Sequence, residues 1–260
     1  MEGIGIDLER VNLFLLHGFL GRPSDWEAVK ASLPPVANLR IYTPDYFKDE
    51  ELTSVHSFEK WAENFNDWAH DETKGTGRNI LVGYSLGGRL ALQALAQNPT
   101  QWYKALFIST NPGFDDNHKN FDPSSEQRRQ RWLNDSYWAE EFLKAPWDMV
   151  MRNWNAQPVF GGGSEPLRME KDYSRENLSL ALTRWSLAEQ QNMRNLLTAL
   201  KQKVFWLVGE RDEKFVSMSQ TLHHETGVKV EIAQDASHRV LFDRPREIAE
   251  IIKSILAQLK

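Results

Sequence analysis

Short apolar runs alternate with amphipathic stretches along most of the chain. Val11–Leu16 is a nearly continuous apolar run, and mainly apolar runs also lie at residues 79–82, 105–109 and 204–208, while residues 39–43 and 228–232 are further short predicted strands. Such runs are typical of strands that are buried on both faces of a parallel sheet. Residues 24–34, 58–69, 90–97 and 246–259 have the periodicity of amphipathic helices. Strands that alternate with helices predict an α/β protein with a mostly parallel, doubly wound sheet.

The start of the first helix is predicted from a local motif. Ser24 and Glu27 have the spacing of a capping box, in which a serine hydroxyl and a glutamate carboxylate accept hydrogen bonds from opposite backbone N–H groups. We therefore expect the helix to begin at Ser24.

The strand pattern is absent between about residues 113 and 195. Segments with helical character and many Arg and Trp residues replace it, at residues 126–143, 147–154 and 175–188. We interpret residues 113–195 as a helical cap, entered through Asn111-Pro112-Gly113 and inserted into a core formed by residues 1–112 and 196–260. A length of 260 residues suits one catalytic domain with an insertion.

Composition narrows the classes of function. A net charge of -5 gives no indication of nucleic-acid binding. The absence of cysteine excludes disulfides, thiolate metal sites and cysteine nucleophiles, and it favours a reducing compartment. No signal-peptide pattern and no apolar run of about 20 residues is present, so we expect a cytoplasmic protein that does not span a membrane. The sequence indicates no metal and no organic cofactor, and it does not predict an oligomeric state.

Gly83-Tyr84-Ser85-Leu86-Gly87 lies between a predicted strand and a predicted helix. This G-x-S-x-G pattern is typical of a nucleophile elbow, in which the two glycines relieve crowding around a serine in a tight turn. The alternative is a serine that only caps a helix after a glycine turn. The strand-to-helix context favours Ser85 as a nucleophile or base.

A serine hydroxyl needs a base within hydrogen-bond reach and a carboxylate that orients the base. His238 follows the strand predicted at 228–232 and precedes the last helix. Asp212 follows the strand predicted at 204–208, and Asp115, after an earlier strand, is the reserve candidate. The order Ser85, Asp212, His238 is the order of an α/β-hydrolase fold, so we predict these three as the catalytic residues.

The segment Leu16-His17-Gly18-Phe19 has the form of an oxyanion loop. We predict that the backbone N–H groups of Phe19 and Leu86 form an oxyanion hole. Such donors stabilise charge as it develops, by about 3 kcal/mol per donor.

Longer motifs surround these residues. They include Gly88-Arg89 after the elbow, Glu126-Gln127-Arg128, Gln157-Pro158-Val159-Phe160, Ser186-Leu187-Ala188 and Gly209-Glu210-Arg211-Asp212-Glu213-Lys214-Phe215. With them the chain resembles, over most of its length, the 2-succinyl-6-hydroxy-2,4-cyclohexadiene-1-carboxylate synthases of menaquinone biosynthesis, which are lyases with the α/β-hydrolase fold. The resemblance implies a His-activated serine that removes a ring-carbon proton and drives elimination of pyruvate, without an acyl-enzyme. It also implies a small substrate with several carboxylates.

The resemblance implies five substrate-binding residues, namely Tyr84, Arg89, Arg131, Trp154 and Arg168. Arginines suit carboxylates because the guanidinium group binds them in a bidentate manner and stays charged. The alternative for the arginines of the cap, above all Arg128 and Arg129, is a solvated and ion-paired helix face. The alternative for Trp154 is a place in the core of the cap.

Three segments depart from the family pattern. Thr43-Pro44-Asp45-Tyr46-Phe47 replaces an Asp-x-Pro-Gly-His-Gly turn, Asn155 stands where relatives have a tyrosine, and Ser237-His238-Arg239 replaces Gly-His-Asn. Because these segments lie near the predicted pocket, a different substrate with an unchanged triad is an open alternative.

Two other functions stay open. A serine hydrolase acting on a small acidic ester or thioester would use the same triad through an acyl-enzyme, and a binding module would keep the fold without catalysis. The density of arginine in the cap favours an anionic ligand, whereas a lipase would need an apolar cap.

Overall fold

The structure is a computed structural model that describes residues 10–35, 38–49, 52, 57–116 and 121–259. In this part of the chain a six-stranded sheet consists of β1 Val11–Leu16, β2 Leu39–Tyr42, β3 Arg78–Tyr84, β4 Trp102–Ile108, β5 Val204–Gly209 and β6 Lys229–Ala233. The strand order is β2-β1-β3-β4-β5-β6, and every neighbouring pair is parallel. The predicted α/β fold with a parallel sheet is confirmed.

The burial of β1 explains its continuous apolar sequence. Leu13 and Leu15 face one apolar core, whereas Phe14 and Leu16 face another, and all four side chains are fully buried. Side chains alternate between the two faces of a strand, so a strand covered on both faces needs apolar residues at consecutive positions.

Helices cover both faces of the sheet. Trp26 and α1 (Glu27–Ser32) pack with the C-terminal helix α10 (Pro245–Ala257) against one face. The helices α2 (Phe58–Thr73), α3 (Leu86–Gln97) and α8 (Glu213–Thr226) contribute to the core on the other face. The short helix α9 (Val240–Asp243) directly precedes α10. The sheet is therefore doubly wound, as predicted.

The predicted start of the first helix is wrong. A single 3-10 turn at Pro23–Trp26 precedes α1, and no side chain caps α1. Instead, the carboxylate of Asp25 accepts a hydrogen bond from the backbone N–H of Arg22 (3.1 Å). Pro23 fixes the backbone at the start of the 3-10 turn. Asp25 supplies the carboxylate acceptor that the prediction assigned to Glu27.

The chain between β4 and β5 is helical. It contains α4 (Glu126–Lys144), α5 (Trp147–Asn155), α6 (Arg175–Arg184) and α7 (Arg194–Leu200), and no strand lies in its described residues. The predicted helix at 175–188 ends at Arg184, and a 3-10 turn follows at Leu187–Glu189. The division of the chain into a core and a cap at residues 113 and 195 stays a prediction; α7 crosses the second of these positions.

The parallel arrangement determines where functional side chains can meet. Because all six strands run in one direction, the residues that follow β1, β3, β4 and β5 lie along the same edge of the sheet. The helices between β4 and β5 contribute residues to the cavity at this edge. No helix in the described residues has the length and apolar character needed to cross a bilayer.

Candidate active site

Ser85 connects the end of β3 to the start of α3 in a strained turn. Its backbone angles are φ 52° and ψ -113°, and a positive φ is uncommon for a residue with a side chain. A Cβ atom added to Gly87 would lie 2.2 Å from the carbonyl oxygen of His17, and one added to Gly83 would lie 2.6 Å from the oxygen of Gly87. Only glycine therefore fits on either side of Ser85, as the elbow motif predicts.

The imidazole of His238 lies between the hydroxyl of Ser85 and the carboxylate of Asp212. Its Nε2 is 3.2 Å from Ser85 Oγ, and its Nδ1 is 2.6 Å from Asp212 Oδ2. Asp212 follows β5 and also accepts a hydrogen bond from the N–H of Phe215 (3.4 Å), which fixes its carboxylate at the start of α8. The reserve candidate Asp115 contacts Asn192 instead. The structure thus brings together the three residues that the sequence singled out.

The contact between His238 and Asp212 is shielded from water. Their side chains are 7% and 2% exposed. The ring of Phe215 packs on that of His238 with centroids 4.7 Å apart. In a dry environment the short contact favours the tautomer in which Nδ1 carries the proton and donates a hydrogen bond to the carboxylate of Asp212. Nε2 is then free to accept the proton of the Ser85 hydroxyl.

Phe19 and Leu86 line the same cavity as Ser85, at the positions expected of oxyanion-hole residues. Leu86 is the first residue of α3, where backbone N–H groups and the helix dipole favour negative charge. The ring of Phe19 packs against Trp154 at 4.9 Å between centroids, which holds the oxyanion loop against α5. Their role as donors stays a prediction.

The cavity has a volume of about 300 Å³ and is lined by residues at the edge of the sheet and by residues of the helices between β4 and β5. The cationic side chains on its wall are Arg89, Arg131, Arg168, Lys214 and Arg239. Two carboxylates, Asp25 and Asp135, also line it, so positive charges exceed negative ones by three with histidine neutral. An excess of cations in a confined space attracts anionic ligands. The arginines, tyrosine and tryptophan implied by the resemblance all lie on this wall.

Arg89 is held in an environment that disfavours its charge. Its Nη1 donates to the carbonyl oxygen of Trp185 (2.7 Å), and its guanidinium group lies 5.7 Å from the ring centroid of Phe58. Burial, and next the nearby charge of Arg131, lowers the pKa of Arg89 to about 9. An anion bound beside Arg89 would offset this cost.

Arg131 and Arg168 each form an ion pair inside the site. Arg131 Nε donates to Asp135 Oδ2 (2.7 Å), and the Arg131 side chain is 34% exposed. Arg168 binds Asp25 in a bidentate manner, at 2.8 Å and 2.7 Å, with both side chains less than 10% exposed. The pair of Arg168 and Asp25 connects the chain between β4 and β5 to the turn before α1.

Tyr84 and Trp154 form part of the aromatic wall. Tyr84 is buried beside His238 (6.1 Å between centroids), and burial raises the pKa of its hydroxyl, so Tyr84 stays neutral. Trp154 packs among the aromatic rings of Phe19, Trp138 and Phe142. Trp154 agrees in part with both of its interpretations, as a wall of the pocket and as a core residue. It lines the cavity and also packs against the hydrophobic core.

Four charged residues of the cavity were not predicted as site residues, namely Asp25, Asp135, Lys214 and Arg239. Lys214 lies two residues after Asp212, and Arg239 directly follows His238. This proximity to predicted catalytic residues is a signal in the sequence. Asp25 and Asp135 have no such local signal, because their partners are recognised only in the folded chain.

Arg128 and Arg129 differ sharply in their surroundings. The Arg128 side chain is fully buried and pairs with Asp116 (2.8 Å), so the predicted solvated face is wrong for this residue. Arg129 is exposed and pairs with Glu126 on the same helix, as that interpretation expected. Elsewhere in the described residues, no group of three or more His, Asp or Glu side chains is arranged to hold a metal ion.

Residues 13–251 match the alpha/beta hydrolase family. The 2-succinyl-6-hydroxy-2,4-cyclohexadiene-1-carboxylate synthase of Klebsiella pneumoniae subsp. pneumoniae is 30% identical over 251 residues, which cover 94% of this chain and 93% of the relative.

Two solved structures show the extent of the shared fold. MenH from S. aureus superposes with a TM-score of 0.81 at 20% identity, covering 98% of this chain and 96% of the other. A carboxylesterase structure from Nitrososphaera gargenis gives a TM-score of 0.70 at 16% identity, covering 97% and 92%. The predicted family is confirmed: the chain belongs to the alpha/beta hydrolase family and, within it, to the family of 2-succinyl-6-hydroxy-2,4-cyclohexadiene-1-carboxylate synthases.

Proposed function

We propose that this protein is a lyase that eliminates pyruvate to form 2-succinyl-6-hydroxy-2,4-cyclohexadiene-1-carboxylate, a step of menaquinone biosynthesis. The observation that carries the proposal is the placement of a hydrogen-bonded serine and histidine in a cavity with an excess of three positive charges. A small polycarboxylate would be attracted to this cavity, and the arginines would orient it over Ser85.

In the proposed reaction, Ser85 removes a proton from a ring carbon while His238 Nε2 takes the hydroxyl proton of Ser85. The electron pair of the C–H bond forms a new double bond in the ring, and the C–O bond to the enolpyruvyl group breaks. The proton is returned to the departing enolate, which becomes pyruvate, so that charge and atoms balance. Asp212 stabilises the imidazolium that forms during the transfer.

The other members of the site have supporting roles in this proposal. The N–H groups of Phe19 and Leu86 donate to the oxygen on which negative charge develops. Arg89 and Arg131 bind substrate carboxylates, Arg168 positions the site through Asp25, and Tyr84 and Trp154 form its apolar wall. The chain lacks cysteine, which suits a reducing compartment, and we place the activity in the cytoplasm.

The test offers the purified protein the pathway substrate, generated in situ from isochorismate and 2-oxoglutarate by the upstream synthase, together with a panel of aryl esters. Pyruvate release should fall at least about 10³-fold in Ser85→Ala. Ser109→Ala is the matched control, because Ser109 lines the same cavity and follows the neighbouring strand β4. This variant should keep most of the activity.

The same assay separates the alternatives. Ester turnover with covalent labelling of Ser85 and no pyruvate would replace the lyase with a serine hydrolase, whose fold relatives include the N. gargenis carboxylesterase. Silence in both assays would favour a binding module.

A further inference from the structure

Arg239 directly follows His238 and precedes α9. Only 5% of the residue is exposed, yet it lines the cavity. The backbone N–H of Arg239 donates to Ser237 Oγ (3.1 Å), and that hydroxyl in turn donates to Asp243 (2.7 Å). The backbone at Arg239 is therefore fixed by the same loop that positions the imidazole of His238.

The guanidinium group of Arg239 has neutral partners. Nη2 donates to Asn155 Oδ1 (2.5 Å), Nη1 donates to the carbonyl oxygen of Ser164 (3.0 Å), and the group lies 4.1 Å from the ring centroid of Phe160. No carboxylate oxygen of the described residues lies within 4.0 Å of a guanidinium nitrogen of Arg239, which is the limit for an ion pair. Arg131 and Arg168, in contrast, each have such a partner. Arg239 is thus a buried cation that has no ion-pair partner among the described residues, and the carboxylates of Glu165 and Asp243 act on it only from a greater distance.

A buried charge without an ion-pair partner is costly, because more distant opposite charges offset only part of its desolvation. Burial is the largest cause of the lowered pKa of Arg239. Arg168 lowers this pKa further, and the raising effects of Tyr84, Glu165 and Asp243 do not offset the burial. An anion that reached Arg239 would remove the cost. The cavity offers a route for such an anion, because it is continuous from Arg239 to Ser85.

The cavity arginines are held at separate places by different partners. Arg131 pairs with Asp135, Arg168 pairs with Asp25, and Arg239 donates to Asn155. A ligand with carboxylates at separate positions needs separate cationic groups. This division of charge matches a polycarboxylate better than it matches a ligand with a single acidic group.

Asn155 and Arg239 are partners in the structure, although they lie 84 residues apart in sequence. The amide oxygen of Asn155 accepts from the guanidinium group and orients its planar face. The pair holds a cation at the residue that directly follows the catalytic histidine.

We propose that Arg239, held by Asn155 and Ser164, binds one carboxylate of the substrate beside His238 and is a specificity-determining residue of this protein. The inference rests on the proposed function for the identity of the substrate, but the anion site itself can be tested without turnover. Arg239 would hold the carboxylate by a charge-assisted hydrogen bond that no neutral side chain at this position could replace.

The test measures binding of benzene-1,3,5-tricarboxylate, a six-membered ring with three carboxylates, by calorimetry. Arg239→Gln should weaken binding at least tenfold, Arg239→Lys should recover part of the loss, and Asn155→Ala should lie between Arg239→Gln and the unmodified protein. Arg152→Gln is the matched control, because Arg152 is exposed on the helix that carries Asn155. It should bind the probe normally.

Kinetics with the pathway substrate gives a second readout. Arg239→Gln should raise KM at least tenfold and leave kcat within about threefold, a split that a purely structural role would not produce. Equal probe affinity in Arg239→Gln and unmodified protein, or no probe binding by the unmodified protein, would overturn the site. If probe binding depends on Arg239 while pyruvate is never released, the site stands and the proposed lyase activity fails.

Discussion

Nδ1 of His238 lies 2.6 Å from Oδ2 of Asp212, and the pair is almost completely shielded from solvent. A carboxylate in this position holds the imidazole in the tautomer whose Nε2 can accept a proton. The relationship joins two loops that are 26 residues apart in sequence. It also identifies the residue whose replacement most directly tests the protonation of the histidine.

Asp212→Asn should lower kcat for pyruvate release by about 10³–10⁴-fold while KM changes little, because the amide can keep the geometry but favours the wrong tautomer. Steady-state kinetics measures both constants. Asp235→Asn is the control, since Asp235 lies in the loop before His238 with its side chain 81% exposed. A kcat in Asp212→Asn within tenfold of the unmodified protein would contradict this role for the carboxylate.

Gly87→Ala should destabilise the protein by about 3 kcal/mol or more, since the new methyl group would overlap backbone atoms that cannot move independently. Gly162→Ala provides the comparison. Gly162 has a positive φ, 69°, but no atom lies within 4 Å of the added carbon, so this variant should lose only about 1 kcal/mol through backbone strain. Urea unfolding measures the loss of stability in both variants, provided that their m-values equal that of the unmodified protein. Equal costs would mean that the elbow accommodates a side chain at residue 87.

The strands and the triad were predictable because their signals are local. A strand buried on both faces requires a nearly continuous apolar run, as in β1, and each triad candidate was located by its position after a predicted strand. Ser85 had the added constraint of flanking glycines, which the close contacts at Gly83 and Gly87 explain physically.

The charge pairs of the cavity were not predictable, because they depend on the way distant segments pack. Asp25 and Arg168 are 143 residues apart, and no local pattern relates them. The predicted capping box drew attention to Ser24 and Glu27, while Asp25 between them is the residue that reaches the cavity. The partnership of Asn155 with Arg239, 84 residues apart, has the same origin.

Asp25→Asn should destabilise the protein by about 3–5 kcal/mol, because it leaves the buried guanidinium group of Arg168 without a counter-ion. The double variant Asp25→Leu with Arg168→Met should lose less stability than this single variant, since neither charge then remains. Chemical denaturation gives the free energies of unfolding. If the free energy of unfolding of Asp25→Asn differs from that of the unmodified protein by less than about 0.5 kcal/mol, water already screens the ion pair and its burial has little energetic consequence.

Arg131→Ala should raise KM for the pathway substrate at least tenfold, equivalent to about 1.4 kcal/mol of binding, with kcat within about threefold. The reason is that Arg131 keeps a third of its side chain exposed to the cavity region even while it pairs with Asp135, so it can also contact an anion. Arg129→Ala is a close control, because Arg129 lies two residues earlier on the same helix and pairs with Glu126 outside the cavity. Both variants remove the same side chain from α4, so a general loss of helix stability would raise KM in both. An unchanged KM in Arg131→Ala would restrict Arg131 to its ion pair with Asp135 and leave Arg89 and Arg239 to bind the carboxylates.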